Sequence, residues 1–276
     1  MLSQVSFLVA PEYATGSYPE SVAAADFNGD GKLDLAVANF GSRPDYTLSV
    51  LLNRGDGTFA AKVDYATGTS PISIAAADFN GDGKMDLAVA NYGSDTVSVL
   101  LNNGNGTFAA KADYGIGTGP TSMTAADFNG DGKADLAVSY TTMSVERVSV
   151  LLNNGHGAFA DEARYRTGSG PESVTAADFN GDGKPDLAVT NYVDSTVLVL
   201  LNNGNGTFAD EVSYGTGSGP QPVAAADFNG DGKADLVVGD STANSVSVLL
   251  NKGNGTFAAR VDFGTGSYPQ VYAHLW

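Results

Sequence analysis

Residues 23–39 read AAADFNGDGKLDLAVAN. Asp26, Asn28, Asp30 and Asp34 place side-chain oxygens at positions 1, 3, 5 and 9 of a loop broken by Gly29 and Gly31, and short apolar runs flank the loop on both sides. Nearly the same stretch returns with Asp78, Asp127, Asp178 and Asp227 in the place of Asp26, at spacings of 52, 49, 51 and 49 residues. A period near 50 residues is the mark of an array, and it decides the fold class before any single element does.

Each unit carries four short strand patterns, which in the first unit are ESVAAADF, LDLAVAN, LSVLLN and GTFAAKVDYATG. Glycine- and asparagine-rich turns (NGDG, NNGNG, then GTGP or GSGP) separate them, and no stretch sustains a 3.6-residue apolar period. The chain therefore reads as all-β. Four-stranded antiparallel units of this length are the blades of a β-propeller. The small residues Val22, Ala23, Ala24 and Ala25 suit the strand nearest a crowded axis. A β-sandwich, the alternative architecture, does not account for five equal units.

The expected organisation is one domain over 1–276, with repeats at about 19–68, 71–117, 120–168, 171–217 and 220–266. A lone fourth strand is expected within 1–18, because FLVAPEYATGSYP matches FAAKVDYATGTSP, and a lone first strand within 267–276. This gives five blades with overhanging ends, or six with one partial blade. Unpaired end strands invite self-association.

The length variation is confined to one place. From the asparagine that ends the third strand to the next acidic loop is always 25 residues: Asn53 to Asp78, Asn102 to Asp127, Asn153 to Asp178 and Asn202 to Asp227. From the last loop aspartate to that asparagine the count runs 19, 16, 18, 16 and 16. The variable segment is the turn between second and third strands, which a meander places at the opposite end of the blade from the acidic loop. One face is thus uniform and acidic, and the other is varied, as recognition surfaces on rigid scaffolds are.

Composition narrows the function. The chain has 276 residues, 42% hydrophobic and 16% charged, a net charge of −17 and no cysteine. The acidic balance argues against nucleic acid and anionic membrane surfaces as partners and suits cation binding. No run approaches the roughly 18 apolar residues of a membrane span, so no membrane insertion is expected. The opening MLSQVSFLVAPEY lacks the basic n-region and cleavage site of a signal peptide. That leaves a processed form, a piece of a longer chain, or a protein not secreted by that route.

The acidic loop matches the first nine positions of an EF-hand calcium loop: oxygen side chains at 1, 3, 5 and 9, glycine at 6 for the sharp turn, and a carbonyl at 7. The expected metal set is Asp26, Asn28, Asp30, Lys32 (through its carbonyl) and Asp34, with Asp78, Asn80, Asp82, Lys84 and Asp86 in the second unit. The third gives Asp127, Asn129, Asp131, Lys133 and Asp135, the fourth Asp178, Asn180, Asp182, Lys184 and Asp186, and the fifth Asp227, Asn229, Asp231, Lys233 and Asp235. Position 12 is Val37, Val89, Val138, Val189 or Val238 in place of the bidentate glutamate, so these are calcium loops on β-hairpins and not EF-hands. Magnesium demands tighter octahedral geometry, and zinc or iron lack their usual ligands in a chain with two histidines and no thiol. About five calcium ions would bring the charge from −17 to −7. The competing reading is a solvated acidic turn.

The pattern DFNGDGKxDLAVAN…VSVLLNNGNGTF resembles the FG-GAP/VCBS repeats of the integrin α-subunit propeller and of fungal and bacterial propeller lectins. The resemblance covers essentially the whole chain. It implies calcium between the first and second strands of each blade, on the lower face, with ligand bound on the opposite face or between blades. Members are mostly seven-bladed, and such repeats also serve as accessory modules of secreted enzymes.

Other motifs read as turns. Arg54-Gly55-Asp56 replaces the NGN of neighbouring units, and the glycosylation-like Asn105, Asn205 and Asn254 lie in the same hairpin, as does His156. Glu146 and Arg147 form a site or a solvated pair. Phe40, Tyr92, Tyr140 and Tyr192 follow the second strand in four units and form a candidate ligand set for sugar rings or a protein partner, or else plugs between blades. The expected function is an extracellular (secreted or cell-surface) calcium-binding recognition or adhesion module for glycan or protein. The alternatives are a self-associating scaffold and the accessory domain of a secreted enzyme. An autonomous enzyme is not expected, because no Ser-His-Asp set is evident and most carboxylates are committed to metal.

Overall fold

Strand-forming runs punctuated by glycine turns fold into five four-stranded antiparallel sheets, each a meander in chain order. The computed structural model describes residues 11–41, 46–141, 146–160, 163–209, 211–267 and 269. Blade 1 comprises β1 (Pro19–Ala25), β2 (Asp34–Asn39), β3 (Thr47–Leu51) and β4 (Val63–Ala66). Blade 2 comprises β5 (Pro71–Ala77), β6 (Asp86–Asn91), β7 (Thr96–Leu100) and β8 (Ala112–Gly115). Blade 3 comprises β9 (Pro120–Ala126), β10 (Asp135–Tyr140), β11 (Arg147–Leu151) and β12 (Ala163–Arg166). Blade 4 follows with β13 (Pro171–Ala177), β14 (Asp186–Asn191), β15 (Thr196–Leu200) and β16 (Val212–Gly215). Blade 5 has β17 (Pro220–Ala226), β18 (Asp235–Asp240), β19 (Ser245–Leu249) and β20 (Val261–Gly264). The fold is an all-β propeller of five blades, as the repeat period predicts.

The second and third strands do not alternate in burial. Leu35 to Asn39 and Leu48 to Leu51 are apolar or small at nearly every position, and in blades 2 to 4 these strands are buried throughout apart from the first residue of the third strand. Each inner blade is stacked between two others, so both pleat faces leave water. The fourth strands (VDYA, ADYG, ARYR, VSYG, VDFG) lie outermost and are largely exposed. Each first strand opens with proline and shifts register against the second at that point, as in Pro71↔Asn91 followed by Ser73↔Ala90. A proline at the first residue of a strand costs no ladder bond.

The core is divided among the junctions between blades. Phe27, Ala36, Leu48 and Val50 of blade 1 pack with Ile74, Leu87, Val89 and Phe108 of blade 2, and matching clusters form between blades 2 and 3, 3 and 4, and 4 and 5. First strands run side by side from β1 to β5, β9, β13 and β17, and among the described residues no packing of that extent joins β17 back to β1. Of the two lone end strands expected from sequence, 1–10 and 270–276 lie outside the described residues. Residues 11–18 form no strand, yet Tyr13 packs edge-on against Phe59 at 5.4 Å. Tyr65 makes the same contact with Phe108 across the first junction, also at 5.4 Å.

Candidate metal loops and the variable face

The acidic loop joins the innermost strand of each blade to the second, and its backbone is shaped by its own side chains. In blade 1, Asp26 Oδ1 accepts the Gly29 N–H at 2.7 Å and Oδ2 accepts the Gly31 N–H at 2.7 Å. Asn28 Oδ1 accepts the Asp30 N–H at 2.9 Å, and Asp30 Oδ1 accepts the Lys32 N–H at 3.0 Å. Such short acceptor-to-backbone bonds are why Asp and Asn tighten turns. Gly29 and Gly31 take φ of 76° and 78°, where a β-carbon would be strained. The four other loops repeat the arrangement, with the position-6 N–H of Gly83, Gly132, Gly183 and Gly232 at 2.7 to 2.8 Å from the first aspartate.

These bonds set the electrostatics. The Gly31 N–H, foremost among several backbone donors, holds the Asp26 carboxyl below the usual range, and the Gly232 N–H does the same for Asp227. The Lys32 side chain lowers Asp30, its Nζ lying 3.0 Å from Oδ2. The same Lys–Asp pair recurs in each of the other loops at 3.0 to 3.3 Å. Asp26, Asp30 and Asp227 are thus anionic, and the Lys32 ammonium stands beside Asp30 as a local counter-charge.

The position-9 aspartates behave differently. Asp34 is wholly buried; its Oδ2 accepts the Phe27 N–H at 2.9 Å and its Oδ1 the Asn53 N–H at 2.7 Å. Asp86, Asp135, Asp186 and Asp235 repeat this brace between the loop and the end of the third strand. Burial raises the carboxyl pKa of Asp34, Asp86, Asp135 and Asp186, to about 6 for the last two, against the pull of the two N–H donors.

As candidate metal sites, the loops offer oxygen donors only, which suits a hard cation. Among the described residues no three carboxylate or histidine side chains converge into a cage by themselves. An ion held here would therefore also need the Asn28 amide oxygen and the backbone.

Sequence reasoning used the asparagines at 53, 102, 153, 202 and 251 only as a ruler. Asn102 Nδ2 donates to Phe27 O of the preceding blade at 3.0 Å and to Met85 O of its own loop at 2.9 Å, while its Oδ1 accepts the Gly104 N–H at 2.7 Å. Asn153, Asn202 and Asn251 tie the later junctions in the same way. The signal was present in the unvarying 25-residue spacing.

At the opposite end the candidate ligand set divides. Phe40 and Tyr92 lie near each other, ring centroids 6.5 Å apart, and Tyr92 is 47% exposed. Tyr192 is also exposed, with its hydroxyl 3.3 Å from Thr242 Oγ1. Tyr140 departs from the set. It ends β10 in the register that Asn39, Asn91 and Asn191 hold in their blades, and it is buried at 2% exposure. Its ring fills the space over Gly117, where a β-carbon would come within 2.0 Å of it. Thr141 takes the place after the strand, so Tyr140 is a packing residue.

The turn-like motifs are turns. Asp56 of the Arg-Gly-Asp sequence accepts both the N–H and the hydroxyl of Thr58, at 2.9 and 2.6 Å, and Asn105 holds Thr107 in the same way. The N–H of the exposed His156 donates to Asn154 Oδ1 at 2.9 Å. Glu146 Oε1 accepts the Gly170 N–H of the next blade at 3.1 Å.

The family model described as FG-GAP-like repeat matches residues 26–89, 78–138, 140–189, 178–238 and 227–274, in agreement with the resemblance drawn from the loops. No curated protein matches by sequence. Among solved structures, a Lactobacillus plantarum protein is similar with a TM-score of 0.69 and 16% identity over 92% of this chain and 73% of that one. The Pseudomonas aeruginosa periplasmic gluconolactonase PpgL has a TM-score of 0.67 and 18% identity, over 91% of this chain and 72% of its own. An Agrocybe aegerita lectin that recognises non-reducing terminal N-acetylglucosamine has a TM-score of 0.62 and 23% identity, over 90% of this chain and 67% of its own. The gluconolactonase corrects the expectation that this chain is not an enzyme: a propeller of this shape carries that name, and the lack of a nucleophile triad does not remove catalysis from the fold.

Proposed function

We propose that this chain, which belongs to the FG-GAP-like repeat family, is a calcium-loaded recognition module acting outside the cell, with ions at the acidic end of its blades and a glycan or protein ligand at the variable end. The observation that supports it is the segregation of chemistry along each blade. Five loops of one pattern occupy one end; loops of different length and side chain, with Tyr92 and Tyr192 half-exposed among them, occupy the other.

In each loop the aspartates at positions 1 and 5, the intervening asparagine, the lysine carbonyl and the ninth-position aspartate would hold the ion. Calcium would supply positive charge that offsets like-charge repulsion among the carboxylates and fixes the hairpin. The lysine ammonium beside the position-5 aspartate supplies part of that positive charge itself, and a bound ion would supply the rest. The protein's own part is rigidity: the glycine turns and the Asp34-type braces hold the loop before any ion arrives. At the far end, an aromatic face beside hydroxyl and amide groups matches a sugar ring, with its apolar face and polar rim.

Calorimetric titration of the chelated protein with calcium tests the first half, with about five ions taken up per chain as the expected result. A heat no greater than that of a magnesium titration would refute it. A glycan array run with and without calcium tests the second half. Calcium-dependent retention that Tyr92→Ala and Tyr192→Ala each weaken is expected; retention unchanged in both variants moves the ligand elsewhere on the surface.

A further inference from the structure

The outer part of blade 3 departs from the other blades in charge. Arg147 at the start of β11 stands directly across from Arg166 at the end of β12. The other blades hold Thr47–Ala66, Thr96–Gly115, Thr196–Gly215 and Ser245–Gly264 in that register. The next pair on the same sheet face is Ser149–Arg164, where blades 1, 2 and 5 set Asp64, Asp113 and Asp262 across from their serines. An acidic chain thus gathers three of its 14 cations on one sheet face, and lacks there the carboxylate that three sister blades keep.

Side chains directly opposite in an antiparallel pair have β-carbons about 4.5–5.5 Å apart, and like charges so placed destabilise the sheet. Arg166 is exposed and Arg147 half-buried. Among the described residues neither has a carboxylate within ion-pair distance. Glu146, beside Arg147 in sequence, directs Oε1 to the Gly170 N–H of blade 4 at 3.1 Å, and Asp95 of blade 2 accepts the Gly119 N–H of blade 3 at 2.9 Å. Both acids are therefore engaged with backbone. Two guanidinium forks side by side match the oxygens of a carboxylate or a sulfate.

We propose that Arg147 and Arg166 form an oxyanion site at the variable end, and that its ligand is an acidic sugar bearing a carboxylate or sulfate group. This rests on the glycan reading of that end and narrows it. Tyr140, across from Arg147, leads into the exposed Thr141. A β-carbon on Gly119 would lie 3.2 Å from Thr141 O and 3.4 Å from the Tyr92 ring. Tyr92, half-exposed, thus borders the same end of blade 3, and one ligand can set a sugar ring on the tyrosine and an oxyanion on the arginines. The net charge of −17 repels a dense polyanion, which favours isolated charged groups on an otherwise neutral glycan.

A glycan array run in calcium with uronate-bearing, sulfated and neutral glycans is the test, its two acidic arms separating carboxylate from sulfate. Wild-type protein is expected to retain one or both acidic sets at least about tenfold more strongly than the neutral set, and less so as salt rises from ~50 to ~300 mM. Arg147→Gln and Arg166→Gln should each abolish that preference and leave retention of neutral glycans unchanged. Arg166→Lys, which keeps the charge without the fork, should keep only part of it. Each Gln variant should melt no lower than wild type, because it relieves a like-charge opposition. Acidic and neutral glycans retained alike, or an acidic preference that both Gln variants keep, overturns the proposal and leaves the recognition reading standing. Loss of the preference together with a lower melting temperature in both Gln variants also overturns it, by making the arginines structural. Retention of no glycan at all overturns the proposal and the glycan reading together.

Discussion

At the acidic end of the blades, five loops share one hydrogen-bond scheme: the first aspartate takes the position-6 N–H, and the ninth-position aspartate braces the third strand. At the variable end, Asp95 accepts the Gly119 N–H and Glu146 the Gly170 N–H, each reaching the entry turn of the next blade, while Asp194 accepts the Ser169 N–H in the entry turn of its own blade. Both ends therefore tie blades together. Only one does so through side chains that are also needed to shape a charged loop. Uniformity at that end follows from double duty, since a change in Asp34 or Asn102 disturbs the acidic loop and the bonds that tie it to the third strand or the neighbouring blade together. The other end meets its backbone needs in several ways and leaves side chains free to differ.

Several measurements would break or sharpen this contrast. Removing calcium should have the largest effect: with free calcium at ~100 times the dissociation constant each loop gains about 2.7 kcal/mol and the five together about 13 kcal/mol, so thorough chelation should lower the melting temperature by roughly 20 °C or more. An unchanged melt would leave the acidic end as solvated turns. Next is Asp86→Ala, which strands the buried N–H groups of Phe79 and Asn102 and should cost about 3 kcal/mol in denaturant unfolding. A loss below ~1 kcal/mol would mean the brace is dispensable.

A smaller effect concerns a buried polar chain. In blades 1 and 2 an asparagine amide donates to a serine that donates to an aspartate: Asn39 to Ser49 at 2.9 Å and on to Asp64 at 2.6 Å, Asn91 to Ser98 at 2.9 Å and on to Asp113 at 2.7 Å. In blade 5 the first member is Asp240. The single Ser247 proton faces Asp240 at 2.7 Å and Asp262 at 2.9 Å, and Arg260 pairs with the latter. Burial raises the Asp240 carboxyl. A protonated Asp240 restores the directional chain, so its contribution is complete below the ordinary aspartate range and is lost as pH rises through its elevated folded value. Asp240→Asn should remove that slope and add about 1 kcal/mol at neutral pH, read from unfolding curves across the pH range. The smallest effect on stability belongs to the variable end: Tyr92→Ala should shift unfolding by less than about 0.5 kcal/mol while weakening ligand retention.

Much of this was legible in the residues. The period, the turn dipeptides and the oxygen spacing placed every blade and every loop. The second role of Asp34 was not legible, because a metal pattern and a backbone brace both ask for carboxylate at that position. Tyr140 was misplaced for a local reason: in DLAVSY the tyrosine stands one residue earlier in the motif than in DLAVAN-Tyr, so the ring falls on the buried register instead of the loop. The partial exposure of Val237, Val246 and Val248 left no trace in the pattern, since LVVGD and SVSVL are as apolar as their buried counterparts. Whether a strand face is covered depends on the next blade, and nothing within the unit reports it.

Gly106, Gly157, Gly206 and Gly255 each sit where a β-carbon would lie 2.7 to 2.9 Å from a leucine of the blade before. The dovetail is thus cut entirely within the repeated segment, tenon at one end and mortise at the other. Duplication or deletion of a whole segment during descent leaves every remaining joint chemically unaltered. The number of segments is therefore free to drift without new joinery having to evolve.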